Sequence, residues 1–189
     1  MTQEHVNLKH RPFLMPIWLS VWAGLVLAGL LGWAALTWAT ANSTTVIVVR
    51  HAEKELDAGS DPPLPPAGQA RAELLSRLLG DGRAPGHVDA IYISPTLRSR
   101  MTAAPLARRL GLTPIVGPAH DAPDLATRLL REHGGGRVLV VGHSDTVTDI
   151  VERLSGAKNL PRIADDEYGA MYIVTVPRIG RANFLRLNY

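Results

Sequence analysis

With 189 residues, 46% of them apolar and 20% charged, the chain has room for one catalytic-sized domain and an appendage. Its formal charge of +3 comes mostly from scattered arginines and contains no dense basic run, which sets nucleic acid aside as a partner. The lack of cysteine excludes disulfides, zinc–thiolate sites, thiol catalysis and a lipidated cysteine anchor.

The first element is apolar. No charged residue occurs from Phe13 to Val49, and Ile17 to Ala39 is almost entirely apolar, long enough to cross a hydrocarbon core at ~1.5 Å rise per residue. Trp18 and Trp22 at one end, and Trp33 and Trp38 at the other, suit the membrane interface. The reading is a short cytoplasmic N-terminus over residues 1–14, a transmembrane anchor over 15–40 (Met15 to Thr40) and a catalytic domain over 45–189. Lys9 and Arg11 precede the span and nothing basic follows until Arg50. The positive-inside rule then sends the domain outward, to the periplasm or cell exterior, from a single pass through the inner membrane. A cleaved signal peptide is the rival, with Ala39, Thr40 and Ala41 as a small-x-small site, and it exports the domain equally.

After Asn42 to Thr44, the run Thr45 to Val49 is apolar on both faces, as in a buried parallel strand. A loop rich in Asp, Gly and Pro then leads into a helix over Ala67 to Leu79. The alternation continues with strand Val88 to Ile93, helix Leu97 to Leu110, strand Thr113 to Val116, helix Asp124 to Glu132, strand Val138 to Val141 and helix Asp145 to Leu154. Strands Ala170 to Val176 and Asn183 to Leu187 close the chain without an intervening helix and read as an antiparallel edge. The fold class is α/β, a mostly parallel central sheet covered by helices on both faces, plus one N-terminal transmembrane helix.

In such sheets ligands sit beyond the carboxyl ends of the strands. Strand one ends in Arg50 and His51, strand two leads through Ser94 and Pro95 to Arg98, and the strand ending at Val141 delivers His143. Two arginines and two histidines would converge without an obvious carboxylate trio, so no metal is expected and the crevice suits a dianion. A phosphoryl group fits: guanidinium forks pair with its oxygens, and a neutral imidazole can attack phosphorus in line. Such a nucleophile implies activity that falls as imidazole is protonated through its ordinary range.

These residues carry a resemblance. IVVRHAEK within Val46 to Lys54, Leu64 to Ala70, SPTLRSRMTA over Ser94 to Ala103, and VVGHSDT over Val140 to Thr146 resemble, in order, the motifs of the histidine phosphatase superfamily, also called the phosphoglycerate mutase-like family. The resemblance covers roughly Thr45 to Tyr189. It implies a three-layer phosphoglycerate mutase-like sandwich, His51 as the phosphorylated nucleophile, and a phosphate pocket of Arg50, Arg98 and His143, with no metal or organic cofactor. The general acid does not match a family position; Asp121 and Glu53 are the two choices. Asp145 stands where the family often has asparagine and reads as a helix N-cap.

The expected activity is a cofactor-independent phosphomonoesterase acting on a phosphorylated small molecule, an envelope sugar or glycolipid, outside the membrane. The alternatives are a phosphoprotein or phosphohistidine phosphatase, and a membrane-tethered phosphate-binding module without turnover. The substrate loops, Glu55 to Pro66 and Gly117 to Pro123, carry no decisive signature, and oligomeric state is open.

Overall fold

The computed structural model of the chain describes residues 17–55, 59–80, 87–117 and 122–189. It divides after Trp38 into two compact units. The first is helix α1, Ile17–Ala41, up to that point. Every described side chain from Trp18 to Trp38 is exposed, so the helix has the length and composition to cross a membrane, properties a signal sequence shares.

The second unit, Ala39–Tyr189, contains β1 (Thr44–Arg50), α2 (Pro66–Gly80), β2 (Ala90–Ile93), α3 (Leu97–Leu110), β3 (Ile115–Val116), α4 (Ala122–Glu132), β4 (Arg137–Gly142), α5 (Ser144–Ser155), β5 (Ala170–Val176) and β6 (Asn183–Asn188). One six-stranded sheet runs β3-β2-β4-β1-β5-β6. Strands β1 to β4 are parallel, while β5 and β6 add antiparallel on the far side of β1. The α/β sandwich and the antiparallel edge follow the sequence expectation.

Alternation along β1 explains the layers. Val46 and Val48 point to a core shared with Leu125 and Leu129 of α4 and Val147 and Ile150 of α5. Ile47 and Val49 point the other way, to a core with Leu75 of α2 and Leu106 of α3. Successive strand residues face opposite sides, so a continuous apolar run fills two cores at once. Leu139 on β4 lies between β1 and β2 and is 0% exposed. Truncating it to alanine is expected to cost about 2–5 kcal/mol, through lost burial and a central cavity. Urea unfolding would show this as a lower midpoint at unchanged m-value.

Several boundaries differ from the sequence expectation for local reasons. Strand β3 keeps only two residues because Pro114 precedes it and brings no N–H to the ladder. Strand β2 begins at Ala90, with the Asp89 carboxylate taking the Arg137 N–H at 2.6 Å. Helix α4 starts at Ala122, with Pro123 in its first turn, where a missing N–H costs nothing. Helix α5 is capped at His143, not Asp145; Asp145 sits in the first turn and its Oδ1 accepts the Thr146 N–H at 2.9 Å.

Candidate active site

The carboxyl ends of β1 and β4 lie side by side, with Arg50 in register with Gly142. One residue further, the His51 N–H donates to the Gly142 carbonyl at 2.9 Å, extending the ladder and fixing the backbone of His51. The Ala52 N–H donates to Thr102 Oγ1 at 3.0 Å, and that hydroxyl donates to the Arg98 carbonyl at 2.8 Å. The loop after β1 is thereby tied to the helix that carries Arg98. On its other side it lies against α2, where a Cβ on Gly68 would come within 2.5 Å of the Glu53 carbonyl oxygen. Only glycine permits that approach.

Arg50 and His51 are each 4% exposed. The imidazoles of His51 and His143 meet edge to face, centroids 5.2 Å apart. His51 Nδ1 lies 2.7 Å from the Ala52 carbonyl oxygen. A carbonyl can only accept, so Nδ1 carries the proton and the lone pair resides on Nε2. Burial, reinforced by the positive surroundings of His143, Arg98 and Arg50, lowers the His51 pKa to about 3, against the smaller opposing effect of the Ala52 hydrogen bond. The imidazole is therefore neutral, with Nε2 unprotonated, at neutral pH.

That shift corrects the expected pH dependence. Protonation of free His51 falls well below the ordinary imidazole range, so loss of activity near pH 6 would have another origin. It also carries a stability consequence. A folded pKa depressed below the unfolded value of about 6.5 means that the unfolded chain binds the extra proton. The contribution is fully present above pH 6.5 and is lost as pH falls toward 3. Between pH 7 and 5 the wild-type protein is expected to lose about 2 kcal/mol more unfolding free energy than His51→Gln, a difference readable by denaturant titration at the two pH values.

The arginines are held differently. Arg50 Nη1 donates to the carbonyls of Ala164 at 2.7 Å and Glu167 at 3.0 Å. Arg98 stands in the first turn of α3 with its Nη1 3.5 Å from Asp61 Oδ1. The Asp61 carboxylate also accepts the Leu97 N–H, at 2.9 and 3.0 Å to its two oxygens, and so supplies the cap that Thr96 does not. The Nε atoms of Arg50 and Arg98 are buried without a hydrogen-bond partner. Arg128 Nε shares this state elsewhere in the fold, but Arg50 and Arg98 both act on His51, and two cations with orphaned donors beside one imidazole suit an anion.

The two acid choices fare differently. Asp121, with its neighbour His120, lies outside the described residues. Glu53 is held by Arg71, whose Nε lies 2.9 and 3.0 Å from the two carboxylate oxygens and whose Nη2 is 2.6 Å from Oε1. Burial favours protonating Glu53, but the hydrogen bonds and charge of Arg71 outweigh it and lower the pKa. Glu53 is a carboxylate brace between the loop after β1 and α2, poorly suited to give up a proton. Among the described residues no cluster of His, Cys, Asp and Glu could hold a metal.

Tyr168 is a neighbour that sequence reasoning missed. Its ring lies 4.3 Å from the Arg50 guanidinium carbon and 6.1 Å from the His51 ring. No motif surrounds it; the only signal is topological. Strand β5 pairs antiparallel with β1, Met171 opposite Val49, which brings the residues just before β5 beside the end of β1.

Comparison with known proteins agrees with the fold. Residues 46–119 match the family model described as histidine phosphatase superfamily (branch 1). The fold is similar to that of the protein histidine phosphatase SixA complexed with tungstate, at 24% identity and TM-score 0.65, covering 76% of this chain and 96% of that one. A mycobacterial glucosyl-3-phosphoglycerate phosphatase is similar at 15% identity and TM-score 0.62, with 77% and 99% covered. A SixA from Agrobacterium tumefaciens follows at 22% and 0.58, with 77% and 98% covered. No curated protein sequence matches the chain.

Proposed function

We propose that the chain, whose residues 46–119 match the histidine phosphatase superfamily model and whose fold is similar to that of two phosphatases, is a member of that superfamily and a metal-independent phosphomonoesterase in which His51 carries the phosphoryl group. The observation that carries this reading is the neutral, Nδ1-anchored His51, its Nε2 unprotonated amid Arg50, Arg98 and His143.

Nε2 attacks phosphorus as the bond to the ester oxygen breaks, and that oxygen leaves with a proton from a general acid or from water. Arg50, Arg98 and His143 meet the charge on the equatorial oxygens, which is the positioning and electrostatic work phosphoryl transfer chiefly requires. Water then attacks the phosphohistidine, releasing inorganic phosphate and restoring Nε2. The arginines neutralise the dianion in place of a metal ion.

The proposed substrate is a small phosphate ester, an envelope sugar or glycolipid, reached by a domain displayed outside the inner membrane. Lys9 and Arg11 ahead of the apolar helix support that orientation. The likeness to SixA favours a second substrate, phosphohistidine on a protein. A fusion reporter at the C-terminus separates the two, since an outward domain cannot meet cytoplasmic phosphoproteins. The activity is tested by phosphate release from an aryl phosphate by the full-length protein in detergent with chelator present. Turnover lost in His51→Ala supports the reading; turnover abolished by chelator, or unchanged in His51→Ala, overturns it. Phosphate binding without turnover would leave a membrane-tethered binding module.

A further inference from the structure

The residues that grip Arg50 come from far along the chain, in the segment between α5 and β5, and they consume part of its donor capacity. Nη1 is spent on the Ala164 and Glu167 carbonyls, and Tyr168 covers the guanidinium at 4.3 Å. Among the described residues Nη2 makes no hydrogen bond and is not buried. With Nη1 occupied, Nε and Nη2 are the donors left for a ligand.

The segment is itself held at several points. The Leu160 N–H donates to Glu152 Oε1 at 2.6 Å, and Ile163, 4% exposed, is part of the α4/α5 core. Glu167 pairs with Arg186 of β6, and the Gly169 carbonyl accepts the Tyr189 N–H at 3.0 Å. Pinned in this way, it can impose a geometry on a side chain that would otherwise sample many rotamers.

We propose that Tyr168, with the carbonyls of Ala164 and Glu167, is a positioning clamp that fixes the Arg50 guanidinium for phosphate, making Tyr168 a positioning residue of this site. The inference rests on the phosphate-site reading above. An aromatic face over a guanidinium attracts the cation and restricts its rotation without competing for its N–H donors. An acidic residue in that place would compete with the ligand. The ring is the active part, so phenylalanine can replace tyrosine and leucine cannot.

The test compares full-length wild type, Tyr168→Leu, Tyr168→Phe, Arg50→Ala and the Tyr168→Leu/Arg50→Ala double variant. Aryl phosphate kinetics and the Kd of inorganic phosphate by calorimetry are the readouts, with thermal unfolding as the control. Tyr168→Leu is expected to weaken phosphate binding and lower kcat/KM roughly tenfold at near-normal Tm, with Tyr168→Phe within about twofold of wild type. In the Arg50→Ala background the leucine substitution should have no further effect, because nothing remains to position. Equal losses in both backgrounds, or no loss of phosphate affinity in Tyr168→Leu, would overturn the clamp. Phosphate affinity is measured without turnover, so a wild-type protein inactive on aryl phosphate contradicts the enzymatic reading while the clamp is still decided.

Discussion

Replacing His51 with alanine is expected to lower phosphatase turnover by at least about 10⁴-fold, with the phosphate pocket still able to bind its ligand. Two features make the loss so large. In the proposed mechanism Nε2 is the atom that forms the new bond, and no other described side chain beside Arg50, Arg98 and His143 duplicates its setting: Nδ1 anchored on Ala52, pKa lowered to about 3, backbone fixed by Gly142. A neighbouring imidazole, His143, lies 5.2 Å away between ring centroids and occupies the N-cap position of α5. Steady-state phosphate release on purified variants measures the effect. Comparable inorganic phosphate affinity in the two proteins would show that chemistry and not binding was removed.

The second large effect is expected at Arg98. Arg98→Ala should reduce kcat by about 10²- to 10³-fold, the scale on which single preorganised charge-stabilising donors act. Arg98→Lys should fall between, since lysine restores charge but not the planar fork. Arg98 is a cleaner probe than Arg50. Its contact with Asp61 is long, at 3.5 Å, and Asp61 keeps its bonds to the Leu97 N–H when the guanidinium is gone. Arg50 is 4% exposed and holds two backbone carbonyls, so Arg50→Ala alone would combine the loss of those contacts with the loss of charge. Near-normal kcat in Arg98→Ala would contradict its place in the phosphate pocket.

The alternation of strands and helices was legible because continuous apolar runs such as Thr45 to Val49 have no other stable placement than a doubly covered sheet. His51, Arg50, Arg98 and His143 could be grouped from sequence because each stands within a few residues of a strand end, where topology alone brings side chains to one edge. Tyr168 could not, since it acts on a residue 118 positions earlier, as the adjacent Glu167 carbonyl does at a separation of 117, and only the β1–β5 pairing places it. Glu53 was misleading for a related reason: its partner Arg71, 18 residues on, turns an apparent proton donor into a braced carboxylate. Strand β3 is shorter than the apolar run from Thr113 suggests, because Pro114 brings no N–H to the ladder.

The central claim, that phosphate passes through His51, is tested most directly by trapping the intermediate. The full-length protein would be mixed with a radiolabelled phosphate ester, quenched in alkali within the turnover time, and mapped by peptide mass spectrometry. The account predicts an acid-labile, base-stable label on the peptide containing His51, absent from His51→Ala. Label on any other residue, or steady turnover with no phosphoenzyme at all, would contradict it.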